Sequence, residues 1–281
     1  MIINDVKNYT GGTASSFTGR EYLAPGGSDT LVIALHPEEL KGSADGSQLN
    51  VLESIDWWPK FARNQNYPFN IFALQTNTTT LHGILNTIIP AMRKRYNPKN
   101  IVLVGLGRGA VDMYNILSEN KDADDIKLVI AVSGYSERTG SIPSKWTSVK
   151  GLAFHGVNDT RYPISLHQDT VNKYNNSFPG SMALVSFANT GYEAWTKAFN
   201  ANTSNDQALQ FVINELSLAQ PTPAPPATNC DEIQQQLTAA QAQITSLQAQ
   251  ISTLTSQRNA AQAEVTRLKT GIQASLNQMP S

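Results

Sequence analysis

The chain has 281 residues, a formal net charge of −1 and only 15% charged side chains, so it offers no basic field for nucleic acid or anionic lipid, and neither is expected as a partner. Polarity comes instead from Asn, Gln, Ser and Thr, where a soluble domain ordinarily carries about 25% charged residues. No apolar run approaches the length of a bilayer span, the opening Met1-Ile-Ile-Asn-Asp-Val-Lys7 has no signal-peptide character, and the single cysteine, Cys230, excludes an intrachain disulfide; synthesis and retention in a cytoplasm is the expectation.

The elements begin with Thr30–His36, a continuous apolar run of the kind buried on both faces of a parallel sheet. Asn50 to Arg63 carries Val51, Leu52, Ile55, Trp58 and Phe61 at helical spacing, which predicts a helix packing on Trp58 and leaving Trp57 exposed. Phe69 to Leu74 is the next strand, and further strands are predicted at Ile101–Val104, Ile126–Val132, Val149–Phe154 and Ala183–Phe187. His82 and His167 fall on intervening helices, where a solvated surface position is expected. Strands alternating with helix-length segments predict parallel crossovers and an α/β layer fold. His36-Pro37, Gly105–Gly109, Ser133-Gly134, His155–Asp159 and Thr190–Tyr192 each end a strand, on the sheet edge where open α/β folds bind ligands.

Asn100-Ile-Val-Leu-Val-Gly105-Leu-Gly107-Arg-Gly109 is strand, glycine-framed turn and helix start, the layout of a nucleophile elbow, G-x-S-x-G. Glycine stands at the nucleophile's place. The same residues fit the dinucleotide pattern G-x-G-x-x-G/A, but this is not the first crossover and the next strand ends in Val132-Ser133-Gly134 without the acidic residue a ribose needs. No histidine pair has metal-ligand spacing, and Asp122-Ala-Asp124-Asp125 lacks the glycine and distal glutamate of a calcium loop. No metal or cofactor is expected.

Four segments together resemble the α/β-hydrolase superfamily, and most closely the compact esterases related to polyhydroxybutyrate depolymerases, over roughly residues 20 to 218. They are Leu31–His36, Gly105–Gly109, Ala153-Phe-His155-Gly156-Val-Asn-Asp159-Thr-Arg-Tyr-Pro163, and Gly191-Tyr192-Glu-Ala-Trp195. The resemblance implies a mostly parallel sheet flanked by helices, with the triad places at Gly107, Asp159 and Tyr192. It also implies that the ancestral reaction is lost: glycine offers no nucleophile, a phenol is a poor base near neutrality, and Pro37 follows His36 with no N–H for an oxyanion. No catalytic residue is therefore assigned. His36, Pro37, Gly107, Arg108, Ser133, Asp159 and Tyr192 would line a residual ligand cleft, with His36 and His155 in structural roles.

Past Gln220 the text changes. Pro221-Thr-Pro-Ala-Pro-Pro226 is a semi-rigid spacer, and from Cys230 apolar residues recur in steps of three and four. Ile244, Ile251, Val265 and Ile272 at a, with Leu247, Leu254 and Leu268 at d, form the seam of a parallel coiled coil, a dimer or trimer. The organisation expected is a head over 1–219, a linker over 220–229 and a coil over 230–278. A silent hydrolase head on a self-associating stalk looks like a structural or binding component of a bacteriophage particle, a fibre, tail or capsid decoration that meets other assembly proteins. A residual carboxylesterase with an unorthodox site and a cytosolic coiled-coil adaptor are the alternatives.

Overall fold

The computed structural model describes residues 1–9, 17–43, 45–76, 82–118, 124–138 and 142–223, with the backbone alone at 82–87, and scattered helical positions between 248 and 272. The chain separates into two compact units, Met1–Ala224 and Pro225–Ser281. Ten strands are described: β1 (Ile2–Tyr9), β2 (Phe17–Leu23), β3 (Thr30–Leu35), β4 (Gln65–Asn66), β5 (Asn70–Gln75), β6 (Asn100–Leu106), β7 (Ile126–Val132), β8 (Lys150–Gly156), β9 (Met182–Phe187) and β10 (Thr222–Pro223). The α-helices are α1 (Trp58–Phe61), α2 (His82–Tyr96), α3 (Arg108–Leu117), α4 (Ile164–Ser177), α5 (Trp195–Ala198) and α6 (Gln207–Leu216).

Eight strands form one sheet in the order β1-β2-β5-β3-β6-β7-β8-β9. Every neighbour pair from β5 to β9 is parallel, and β1 and β2 add antiparallel to that edge. Alternate side chains of the central strands enter different cores, as a period of two requires. Leu31, Ile33, Leu35 and Leu103 pack with Ile88, Met113, Tyr114 and Tyr174 of α2, α3 and α4. Val32, Ala34, Val102 and Val104 pack on the other face with Trp58, Trp195, Leu209 and Val212 of α1, α5 and α6. Burial of each of the larger of these side chains stabilises the fold by about 1.5–3 kcal/mol.

Two expectations need correction. The single helix over Asn50–Arg63 is instead a 3₁₀ turn at Leu49–Glu53 and the short α1, separated by Trp57 in extended conformation with φ −159° and ψ 176°. Pro59 sits in the first turn of α1, where its missing N–H leaves nothing unpaired. Trp57 is fully buried rather than exposed, its indole N–H donating to the Leu52 carbonyl. The strands β1 and β2 had no apolar run to announce them, because β2 buries Arg20 and Glu21. Those charges are matched: Arg20 meets Asp5 at 2.7 Å and Glu53 at 3.0 Å, and Glu21 meets Arg95 at 2.8 Å.

Beyond α6 the head keeps hold of the chain into the proline-rich stretch, with Thr222 paired to Asn66 and Pro223 to Gln65. The amino terminus donates to Asn66 Oδ1 at 2.9 Å. Because β4 lies just before β5, this meeting point is at the edge of the sheet opposite the turn that follows β6.

Asp206 caps α6, accepting from Leu209 N at 2.8 Å and from Trp58 Nε1 at 2.9 Å, so one carboxylate joins the last helix to the buried aromatic cluster. Asp206→Ala is expected to lower the stability of the head by roughly 1–3 kcal/mol, read as a lower denaturant midpoint with an unchanged slope.

Candidate functional site

The turn from β6 into α3 is built on Gly107, which has φ 51° and ψ −118°. An L side chain rarely adopts that conformation, and holding one there costs on the order of 1–3 kcal/mol. The turn is fixed by Gly107 N–H donating to Val132 O at 2.8 Å, while its carbonyl accepts from Ala110 and Val111 at 3.1 and 3.2 Å. A Cβ placed on Gly107 would lie 1.9 Å from Tyr192 Oη and 2.8 Å from Tyr192 Cζ. The tyrosine hydroxyl therefore fills the position that a side chain on the turn would take.

Tyr192 is held there from several sides. Its ring packs edge-on against Trp195 at 5.1 Å and Tyr162 at 5.7 Å, and the Arg161 guanidinium lies 4.6 Å above its centroid. Arg161 also bridges to Glu39 and, at 2.6 Å, to Glu38, while Tyr192 Oη donates to Glu39 Oε2 at 3.4 Å. Burial first, and then the charge of Glu39, push the phenol above its ordinary value. Loops after β3, β8 and β9 are thus tied together over the turn after β6.

Asp159 is buried beneath the same loops. Its Oδ1 accepts from the N–H groups of Arg161 and Tyr162 at 2.8 and 2.9 Å, and its Oδ2 lies 3.3 Å from His155 Nε2. That nitrogen makes its shorter contact, 2.7 Å, with the Tyr162 carbonyl. Next to His155, Gly156 has no room for a side chain: a Cβ there would stand 2.1 Å from Gly191 O and 2.3 Å from Thr190 O. His155 Nδ1 faces His167 Nδ1 at 2.8 Å, and His167 Nε2 faces Tyr114 Oη at 2.9 Å. His167 is fully buried, which corrects the surface position expected for it; it shares the inward side of α4 with Thr170, Val171 and Tyr174. His82 opens α2, and its side chain lies outside the described residues.

Of the remaining cleft residues, His36 and Arg108 are held by partners. His36 Nδ1 donates to Pro37 O at 2.7 Å and its Nε2 accepts from Thr76 N at 3.4 Å, which ties the ends of β3 and β5 together. Arg108 is turned to Glu137 at 2.8 Å and to Asp112 at 3.1 Å. Ser133 is fully buried after β7, with φ 51°, and its Oγ has no hydrogen-bond partner among the described residues. The structure thus gathers Gly107, Tyr192, Arg161, Glu38 and Glu39 at one point, with Asp159 below them. Glu38, Glu39, Arg161 and Tyr162 were not singled out from the sequence, where isolated charges carry no pattern.

Among the described residues no three His, Cys, Asp or Glu side chains are grouped to hold a metal, and no helix is long and apolar enough to cross a membrane. In the second unit, Ile251, Leu254 and Ile272 are helical and 61–63% exposed. Ile244, Leu247, Val265 and Leu268 lie outside the described residues.

No protein-family model matches the sequence, nor does any curated protein. Solved structures do match. A thermostable esterase superposes with a TM-score of 0.57 at 16% identity, over 76% of this chain and 62% of its own. An α/β-hydrolase enzyme from a Medee basin deep-sea metagenome library gives 0.52 at 14% identity, over 77% of this chain and 99% of its own. A lidless α/β serine hydrolase from Xanthomonas campestris gives 0.50 at 15% identity, over 80% and 97%. The chain has the α/β-hydrolase fold.

Because Gly107 and Tyr192 compete for one volume, Gly107→Ser is expected to cost several times more stability alone than in combination with Tyr192→His. A double-mutant cycle on denaturation midpoints should give a favourable coupling of roughly 1–3 kcal/mol; additivity would mean that the tyrosine moves aside at no cost.

Proposed function

We propose that the head is a catalytically silent α/β hydrolase, multiplied by coiled-coil self-association of the C-terminal segment and working as a structural or binding component of a larger assembly. The observation that carries this is the 1.9 Å separation between a Gly107 Cβ and Tyr192 Oη. The nucleophile is missing, and the space it would need is occupied by the residue at the histidine's place. Acyl transfer requires a nucleophile, a base within reach of its proton and a group that orients the base. With Gly107, Tyr192 and Asp159 at those positions, only the orienting carboxylate is left.

Among the described residues around the turn after β6, an enzyme reading would recruit Ser133 or Tyr192. Ser133 is sealed from solvent, and burial beside Glu39 pushes the Tyr192 phenol up and away from the phenolate a nucleophile would need. Native protein is expected to leave short-chain aryl esters at the background rate, and the Gly107→Ser/Tyr192→His variant to gain measurable turnover. Robust native hydrolysis that disappears in Ser133→Ala or Asp159→Asn would establish the chain as an enzyme.

The second half of the proposal rests on the seam. Ile251 and Leu254 lie three positions apart on a helix and are exposed together; burial against a second copy would recover about 1.5–3 kcal/mol for each side chain. The neighbouring e and g positions are largely uncharged, with Gln248, Gln250, Thr255, Gln257 and Gln262, so like chains can pair without charge repulsion. A stalked multivalent head of this kind suits a virion component, with the coil raising avidity for a repetitive target. Sedimentation of the full chain should give a dimer or trimer that falls to monomer in Ile251→Asp/Leu254→Asp. A native monomer at micromolar concentration would favour an adaptor that pairs with a foreign helix.

A further inference from the structure

Below the loop that carries Arg161 runs a line of buried polar side chains that the proposed function does not use: Tyr114 on α3, His167 on α4 and His155 on β8. Its far end fixes its direction. The Tyr162 carbonyl can only accept, so His155 Nε2 carries a hydrogen. Neutral His155 then accepts at Nδ1 from His167 Nδ1–H, and His167 Nε2 accepts from the Tyr114 hydroxyl. Both tautomers follow from contacts of 2.7, 2.8 and 2.9 Å.

We propose that His155 and His167 form a proton sensor that keeps the 157–163 loop closed when neutral or carrying one shared proton, and releases it when a second proton arrives. One proton can be taken without losing a partner. The added hydrogen goes to His167 Nε2, which then donates to Tyr114 Oη while the hydroxyl hydrogen turns toward Met182 Sδ, 3.6 Å away, and the one hydrogen between the two Nδ1 atoms is shared by the rings. The positive charge then faces Asp159 Oδ2, 3.3 Å from His155. A second proton leaves two N–H donors and two like charges opposed at 2.8 Å, and one ring must swing out. If His155 turns, it drops the Tyr162 carbonyl.

The groups around the pair favour this behaviour. Tyr114 and Tyr174, from α3 and α4, are phenols with their rings 6.1 Å apart; Asp159 and Tyr162 come from the loop; β9 contributes Met182. Asp159 is the charge facing the pair, and burial holds both imidazoles below their ordinary value, His167 further than His155. The unfolded chain therefore binds protons that the folded head resists. The stability this represents is whole above about pH 6.5 and is lost as pH falls below it toward the folded values. Loop release matters because Asp159 and His155 anchor residues 161–162, and Arg161 is the clasp over Tyr192.

The full chain contains four histidines, so long-range proton–nitrogen spectra of ¹⁵N-histidine-labelled protein are simple enough to assign. Near about pH 7.5 they should show His167 as the Nδ1–H tautomer and His155 as Nε2–H. On acidification the pair should titrate in two separated steps, and amide exchange over 157–163 should accelerate by roughly tenfold or more only in the second. His167→Gln preserves a donor and an acceptor but takes no proton, and should keep the loop protected at pH values where the native loop opens. Two imidazoles titrating independently, or identical tautomers, would overturn the proposal on native protein alone, whether or not the variant folds. Loop opening unchanged in a folded His167→Gln would place the trigger outside the pair and overturn it equally.

Discussion

One volume, just above the turn from β6 to α3, governs the rest of this structure. The turn forces φ 51° and ψ −118° on residue 107 and aims whatever side chain stands there at a point already held by Tyr192 Oη. The two positions cannot both be filled. Glycine at 107 adopts this conformation without a side-chain penalty, and the tyrosine hydroxyl occupies the space a side chain there would need. The two residues are therefore expected to respond to mutation as a coupled pair.

From that point the surroundings follow. A phenol at the sheet edge is half-apolar, and its ring is covered by Tyr162, Trp195 and the Arg161 guanidinium. Arg161 in turn needs carboxylates, which Glu38 and Glu39 supply from the loop after β3. This edge is knitted by edge-on ring contacts, by the Arg161 guanidinium over Tyr192 and by ion pairs, of which the exposed ones are expected to weaken with salt.

The sheet was legible because its central strands are unbroken apolar runs and its turns are glycine-marked; the elbow and the loops ending at Asp159 and Tyr192 were found by order and spacing. What the text concealed has physical reasons. β2 hides because it buries an arginine and a glutamate whose partners lie on β1, on the segment before α1 and on α2. Trp57 follows from an extended residue that interrupts what would otherwise be helix. His167 was missed although the signal existed: on α4 it occupies the inward stripe with Thr170, Val171 and Tyr174, at the i, i+3, i+4 and i+7 spacing of a buried face. A histidine in such a stripe is buried, and a buried histidine must find partners. The clasp of Arg161 with Glu38 and Glu39 spans more than a hundred residues of sequence and leaves no local trace.

The central claim is that, among the described residues of the head, no hydroxyl is placed to act as an acyl-transfer nucleophile. Incubation of the native chain with a fluorophosphonate, read by intact mass and peptide mapping, tests it directly. The account predicts no stoichiometric adduct on the native protein; a single adduct on Ser133 or Tyr192 would contradict it and place a working nucleophile where none is expected.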